Sequence, residues 1–244
     1  GLLSNSLDDM TLELQKRISH AETFSTDLVH EIRNPLASLK SASEILSDIK
    51  DNNERLKLID ILTHDVQRIE RLITDYSQIL KDEVALSKEK FKKINLITII
   101  QSVVDDYNNI YQAKQGINIS LINDKNKNYI VNGIENRIEQ IVANLLDNAI
   151  SFCENNQKIE IKISKNLNDQ VVINFLDEGP GFKERDTSKI FKRFYSNRPD
   201  KFGQHSGLGL NIVKNLTDLH NASISASNRL DRRGANLEII FPKT

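Results

Sequence analysis

The sequence predicts an all-α segment, a helical hairpin that pairs into a four-helix bundle, followed by an α+β domain. Three observations carry this. Apolar residues recur at helical heptad spacing over residues 7–80, the charged stretch 81–93 interrupts that period, and beyond it segments of period two alternate with segments of helical period. A chain of 244 residues is long enough for two domains of ordinary size.

Residues 7–50 read as one long helix. Leu7, Leu14, Ala21 and Leu28 recur at heptad spacing with Met10 and Phe24 between them, and Ile18, Ile32, Leu39 and Leu46 form a neighbouring seam. Two seams require more than one helical neighbour. After the polar residues 48–54, a second helix carries Ile59, Leu62, Val66, Ile69, Ile73, Tyr76 and Leu80 at alternating spacings of three and four. One antiparallel hairpin of this size buries too little apolar surface to stand alone, so a homodimer with a dimeric four-helix bundle is expected.

Past residue 93 the pattern changes. Residues 97–111 read as a helix, 117–122 as a strand and 137–152 as a helix. Ile159, Ile161 and Ile163 alternate with Lys158, Glu160 and Lys162, as on a half-buried strand. Residues 171–176 form another strand, 207–219 another helix, and Ala235, Leu237, Ile239 and Phe241 alternate near the end. A sheet covered on one face by helices accommodates these elements.

Composition narrows the function classes. Nine Gly and four Pro beside 39% hydrophobic and 27% charged residues exclude collagen-like, low-complexity and wholly disordered chains. Lys and Arg total 33 against 34 Asp and Glu, so the basic excess of a dedicated nucleic-acid binder is missing and nucleic acid is not an expected partner. Cys153 is the lone cysteine and no His/Cys group has zinc-ligand spacing, which favours a reducing, cytosolic setting. The richest apolar run, residues 94–104, falls short of the ~18 residues of a membrane span, and no signal peptide opens the chain. Gly1 stands where an initiator Met would, so the expectation is a fragment whose missing N-terminal part can hold membrane helices.

Within the first helix, Pro35 has no amide to give the carbonyl of Glu31, and its ring crowds that carbonyl, so a bend or loosened turn is expected just past His30. His30 lies outside both seams. Its neighbour Glu31 can hold one imidazole N–H and leave the other nitrogen as a nucleophile. The plain alternative is a surface histidine beside a tolerated proline.

On the helix at 137–152, Gln140, Asn144 and Asn148 are four apart and share one stripe, with Ile138, Ile141, Leu145 and Ala149 on the adjoining apolar face. Asparagines are poor mid-helix residues, and their amide oxygens suit a hard cation such as Mg2+; a polar stripe facing water is the alternative. Asp177-Glu178-Gly179-Pro180-Gly181 follows a strand. It is either a turn or a place where a ligand approaches backbone while Asp177 accepts from an adenine amino group. Gly203, Ser206, Gly207, Leu208 and Gly209 introduce a helix whose exposed N–H groups favour phosphate; the pattern is neither a dinucleotide fingerprint nor a P-loop. Between the glycine boxes, Phe191, Phe194, Lys192, Arg193, Arg198 and Lys201 fit a nucleotide lid or a solvated loop.

These motifs together resemble those of bacterial sensor histidine kinases, in the order that family uses, over residues 24–241. Phe24 followed by His30-Glu31-x-x-Asn34-Pro35-Leu36 resembles its phosphoacceptor box, Asn144-Leu-Leu-Asp-Asn148-Ala149 its asparagine box, and the two glycine segments its remaining ATP motifs. The stretches 194–199 and 203–210 resemble, more narrowly, the ChvG/ExoS type of envelope and acid sensor. The resemblance implies a linker helix at the end of a HAMP-like region over 1–22, a dimerisation and histidine phosphotransfer domain over 23–86, and a GHKL-type α/β sandwich ATP-binding domain over 87–244. It implies ATP and Mg2+ as cofactors, with Asn148 and Asn144 at the metal. Autophosphorylation of His30 follows, then transfer to an aspartate of a response regulator receiver domain. Glu31 activates His30, and Asn34 positions water for a phosphatase reaction. The chain would be the cytoplasmic portion of a bacterial inner-membrane protein. Ser151 stands where many members have Lys, so one phosphate-contacting cation is missing. His20 and His64 read as surface residues, and His205 as a lid residue near phosphate or solvent. Another GHKL ATPase, or a dimerising scaffold, would lack a reason for His30, Glu31 and Asn34 or for the intact nucleotide boxes.

Overall fold

A computed structural model describes residues 2–46, 48–86, 89–183, 186–195 and 207–243, with the side chains of 2–14, 16–21, 24 and 78–86 outside the description. Among the described residues the chain divides into two compact units, the first through Gln78 and the second beginning at Ile79. No helix among the described residues is long and apolar enough to cross a membrane.

The first unit is built from α1 (Leu2–Leu46) and from α2 (Asn52–Leu86) as far as Gln78. The α1 helix is continuous through Pro35, whose ring is buried and which offers no amide to the Glu31 carbonyl. Asp51 opens α2 by accepting from the Asn53 amide at 2.8 Å. The helix then runs through the charged stretch to Leu86, because residues 81–86 hold neither Gly nor Pro to stop it. The single α2 seam read from sequence splits in two. Leu62, Ile69 and Tyr76 are half-buried and Leu72 is buried, whereas Ile59, Val66 and Ile73 form a heptad stripe that is 45%, 45% and 51% exposed.

In the second unit, β1 (Lys92–Asn95) pairs antiparallel with β3 (Ile130–Gly133). The main sheet has the order β2 (Asn118–Asn123), β4 (Lys158–Lys165), β5 (Val171–Leu176), β7 (Ala235–Phe241), β6 (Ser223–Asn228). β2 and β4 run parallel and the other neighbours antiparallel, with Ile161 opposite Phe175 and Phe175 opposite Leu237. α3 (Leu96–Gln115), α4 (Glu135–Phe152) and α5 (Gly209–Leu219) supply the apolar face that meets this row. Ile138, Ile141, Leu145 and Ala149 of α4 are buried in one core with Ile159, Ile161, Ile173 and Ile239. Glu160, Lys162, Asn174 and Glu238 alternate with these strand residues and lie on the other face. Asn95 caps α3 by accepting from the Ile97 amide, and Gly116 at φ 67° ends it.

β1, β3 and β6 lie outside the elements expected from sequence. A further unexpected member of the core is His220, buried at the end of α5. Its Nδ1 lies 2.7 Å from the Leu216 carbonyl, which can only accept, so Nδ1 carries the proton and bare Nε2 accepts from the Ile134 amide at 3.0 Å. Phe91 and Phe241 pack against the ring.

Candidate functional site

In the first unit, His30 and Asn34 are exposed, four residues apart on one face of α1. Glu31 is half-buried and faces elsewhere, since successive helical residues point roughly 100° apart. Its Oε2 accepts from Arg68 Nη2 of α2 at 2.8 Å. The carboxylate that the sequence pairs with the neighbouring imidazole is thus held by a guanidinium, and Arg68 was not among the residues singled out from sequence.

In the second unit, Gln140, Asn144 and Asn148 are half-buried along one stripe of α4. Asn144 Nδ2 donates to the Gln140 carbonyl at 2.9 Å, which leaves its Oδ1 turned away from the helix. A Cβ on Gly209 would stand 3.3 Å from that oxygen, so the asparagine stripe faces the first turn of α5. The residue before that turn, Leu208, is buried and makes no side-chain cap bond. Gly207 has φ 73°, and a Cβ there would lie 2.7 Å from the carbonyl carbon of Phe194, so only glycine fits against the backbone of Phe194 and Tyr195. Asn211 Nδ2 donates to the Phe191 carbonyl at 2.9 Å and ties the 3-10 turn Thr187–Phe191 to α5. Phe191, Phe194, Gly207, Leu208, Gly209 and Asn144 are therefore brought together. Ser151, at the position where a cation was missing, turns its hydroxyl back to donate to the Asn148 carbonyl at 2.5 Å. Gly203, Ser206, Arg198, Lys201 and His205 lie outside the described residues.

Asp177 is buried one residue past β5. Its Oδ1 accepts from the Gly179 amide at 2.9 Å and the Ala235 amide at 3.0 Å, which leaves Oδ2 as the oxygen able to accept from a ligand. Burial pushes the carboxyl above its usual range, and these two amides oppose the shift. A Cβ on Gly179 would come within 3.0 Å of the Phe152 carbonyl, and one on Gly181, at φ 73°, within 2.6 Å of Asn228 Oδ1. Asn228 grips the loop by accepting from the Phe182 amide and donating to its carbonyl at 2.6 and 2.9 Å. Asn228 and Arg229, which donates to the Asp177 carbonyl at 3.3 Å, were missed from sequence. The nearby Cys153 thiol is pushed up to about 11, chiefly by burial, and stays protonated at neutral pH.

Asn144 and Asn148 fit a metal that arrives with phosphates. They offer neutral amide oxygens on one stripe, and Asn144 Oδ1 is aimed at the first turn of α5.

Two family models match the chain. The His Kinase A (phospho-acceptor) domain covers residues 21–84, and the histidine kinase-, DNA gyrase B-, and HSP90-like ATPase covers residues 133–244. Sensor protein ChvG of Agrobacterium fabrum is 36% identical over 96% of this chain and 40% of its own length; that of Rhizobium meliloti is 35% identical over 96% and 42%. The chain therefore spans about 40% of the length of these curated relatives. Among solved structures, histidine kinase ThkA in complex with response regulator protein TrrA is 26% identical, with a TM-score of 0.65 over 94% of this chain and 64% of that one. The nucleotide-free catalytic domain of ThkA is 28% identical, with a TM-score of 0.55 over 64% of this chain and 97% of that one. With a phosphoacceptor model over the hairpin, an ATPase model over the sheet unit and ChvG sensor proteins matching nearly the whole chain, this protein belongs to the sensor histidine kinase family.

Proposed function

We propose that this chain is the catalytic core of an ATP-dependent protein-histidine kinase that phosphorylates His30 and passes the phosphoryl group to an aspartate of a response regulator. The observation that carries the nucleotide half is Asp177: a buried carboxylate with Oδ1 occupied by two backbone amides presents Oδ2 to a purine amino group. Exposed His30 supplies the acceptor. An imidazole nitrogen attacks the γ-phosphorus, the bond to the β–γ bridging oxygen breaks, and ADP leaves. Glu31 is assigned the activation of His30 as its neighbour in sequence, a role that requires its carboxylate to leave the Arg68 guanidinium that holds it. Gly207 and Gly209 let the phosphates approach the α5 amides, while Gly179 and Gly181 leave room for the base. Gly203, Ser206 and Leu208 are assigned to phosphate binding, and Phe191 and Phe194 to nucleotide binding. Asn148, with Asn144, would hold Mg2+, which supplies charge neutralisation at the phosphates. Acceleration then comes from positioning and electrostatics.

The reading extends to assembly and place. The exposed stripe of Ile59, Val66 and Ile73 supports a homodimer through a four-helix bundle. ThkA was solved with its response regulator, which supports a receiver domain as partner here. We assign residues 1–22 to a signalling linker, 23–86 to the phosphotransfer domain and 87–244 to the catalytic domain, in the cytoplasmic portion of a bacterial inner-membrane sensor.

The test is incubation with γ-labelled ATP and Mg2+, followed by acid and base. Acid-labile, base-stable label is expected in the wild type and none in His30→Gln; undiminished label in the variant would remove His30 from the role. Asn148→Ala is expected to lose label with unchanged circular dichroism.

A further inference from the structure

We infer that Arg229 is a positioning residue for base selection, and that residues 228–235, the end of β6 and the turn into β7, set which purine the site accepts by holding the Asp177 loop. The inference rests on the nucleotide reading of Asp177.

The Arg229 side chain is 0% exposed, an unfavourable place for a cation unless every donor is used. Nε donates to Asp231 Oδ1 at 3.0 Å and Nη2 to Asp231 Oδ2 at 2.8 Å, a two-point grip. Nη2 also donates to Glu160 Oε2 on β4 at 3.1 Å, and Nη1 to the Asp177 carbonyl at 3.3 Å. Holding the hairpin together needs none of this. The ladder from Ser223↔Ile240 to Asn228↔Ala235 already does so, and the Arg229 amide donates to the Gly234 carbonyl at 3.0 Å. What an apolar side chain cannot do is donate to the Asp177 carbonyl.

That carbonyl is fixed from two sides. Arg229 binds it, and Gly234 packs so closely that a Cβ there would stand 2.0 Å from the oxygen. The next residue, Glu178, is held by the Lys158 amide and by Arg232 Nη1, both at 2.9 Å. With the peptide immobilised, the Asp177 side chain keeps its two amide bonds on Oδ1 and its Oδ2 in one direction. Release of the carbonyl lets the peptide plane turn, and the acceptor loses its aim.

The chemistry gives a test that a merely structural role would not pass. ATP presents a 6-amino donor, and inosine triphosphate presents a carbonyl in its place, so Asp177 Oδ2 favours the former only while correctly aimed. Binding of each nucleotide to the whole chain with Mg2+ is measured by calorimetry. The wild type is expected to prefer ATP by about tenfold or more, the value of one well-aimed hydrogen bond to a charged group. Arg229→Gln is expected to weaken ATP by about tenfold while inosine triphosphate changes by less than about twofold, and Asp177→Asn with Arg229→Gln is expected to match Asp177→Asn alone. Equal weakening of both nucleotides by Arg229→Gln would overturn the inference. Should that variant fail to fold, Asp231→Asn, which loosens the grip from the half-exposed side, is expected to lower the ATP preference, and an unchanged preference overturns the inference. A wild type that binds both nucleotides equally would instead overturn the reading of Asp177 itself.

Discussion

Arg68 and Glu31 are joined at 2.8 Å between α2 and α1, so the carboxylate next to His30 takes its direction from the second helix of the hairpin. The two side chains are 14% and 25% exposed, which shields the pair from solvent more than an ordinary surface ion pair.

A double-mutant cycle with Arg68→Gln and Glu31→Gln should therefore give a coupling free energy of about 1 kcal/mol in urea unfolding, at the upper end for exposed pairs. A coupling indistinguishable from zero would mean that the pair does not hold Glu31 in solution. His30→Gln, on the exposed face, should leave stability within about 0.5 kcal/mol.

Two glycines should respond differently to the same methyl group. Gly234 has φ 142°, and a Cβ there meets the Asp177 carbonyl at 2.0 Å, so Gly234→Ala should lose about 2 kcal/mol or more through strain and overpacking. Gly209 has ordinary helical backbone, with its nearest contact 3.3 Å from Asn144 Oδ1. Gly209→Ala should keep the melting temperature and lose nucleotide affinity, because the methyl group stands between the asparagine stripe and the helix start. Similar melting temperatures for the two variants would contradict the packing described for Gly234.

Much of this was legible in sequence where a period reports burial. β5 and β7 occupy the residues their apolar patterns mark, and the asparagine stripe of α4 lies on the edge of its apolar face as spacing requires. β6 was illegible because Ser223-Ile-Ser-Ala-Ser-Asn228 has only two apolar residues and forms a sheet edge. The contacts that orient the site were illegible for another reason. Arg68 lies 37 residues from Glu31, Asn228 lies 46 from Phe182, and Arg229 lies 52 from Asp177, and no local pattern encodes partners at that separation.

His220 makes stability depend on pH. Burial lowers its affinity for a proton below the ordinary histidine value, and a protonated Nε2 would face the Ile134 amide donor to donor. The folded state thus binds fewer protons than the unfolded one below about pH 6.5. The contribution is complete above that pH and is lost as pH falls from there toward the lower folded value, at no more than about 1.4 kcal/mol per unit. Urea unfolding between pH 7.5 and 5.5 should show this slope in the wild type, and a shallower one in the less stable His220→Asn. Identical slopes would assign the dependence to other groups.

Asn34→Ala should impair dephosphorylation of a phosphorylated response regulator more than autophosphorylation of His30. Asn34 and His30 are both exposed and lie one turn apart on the same face of α1, which is helical on both sides of Pro35. From that position its amide can hold a water against an aspartyl phosphate docked over His30, whereas attack of His30 on ATP needs no amide one turn away. The measurement is a pair of rates on one variant: label appearing on the kinase from ATP, and label leaving a pre-phosphorylated regulator. A loss of about tenfold or more in the second with less than about threefold in the first fits one missing polar contact in the hydrolytic transition state. Equal losses would assign Asn34 to helix geometry, and a loss confined to autophosphorylation would make it part of the kinase reaction and leave the hydrolytic water to another side chain.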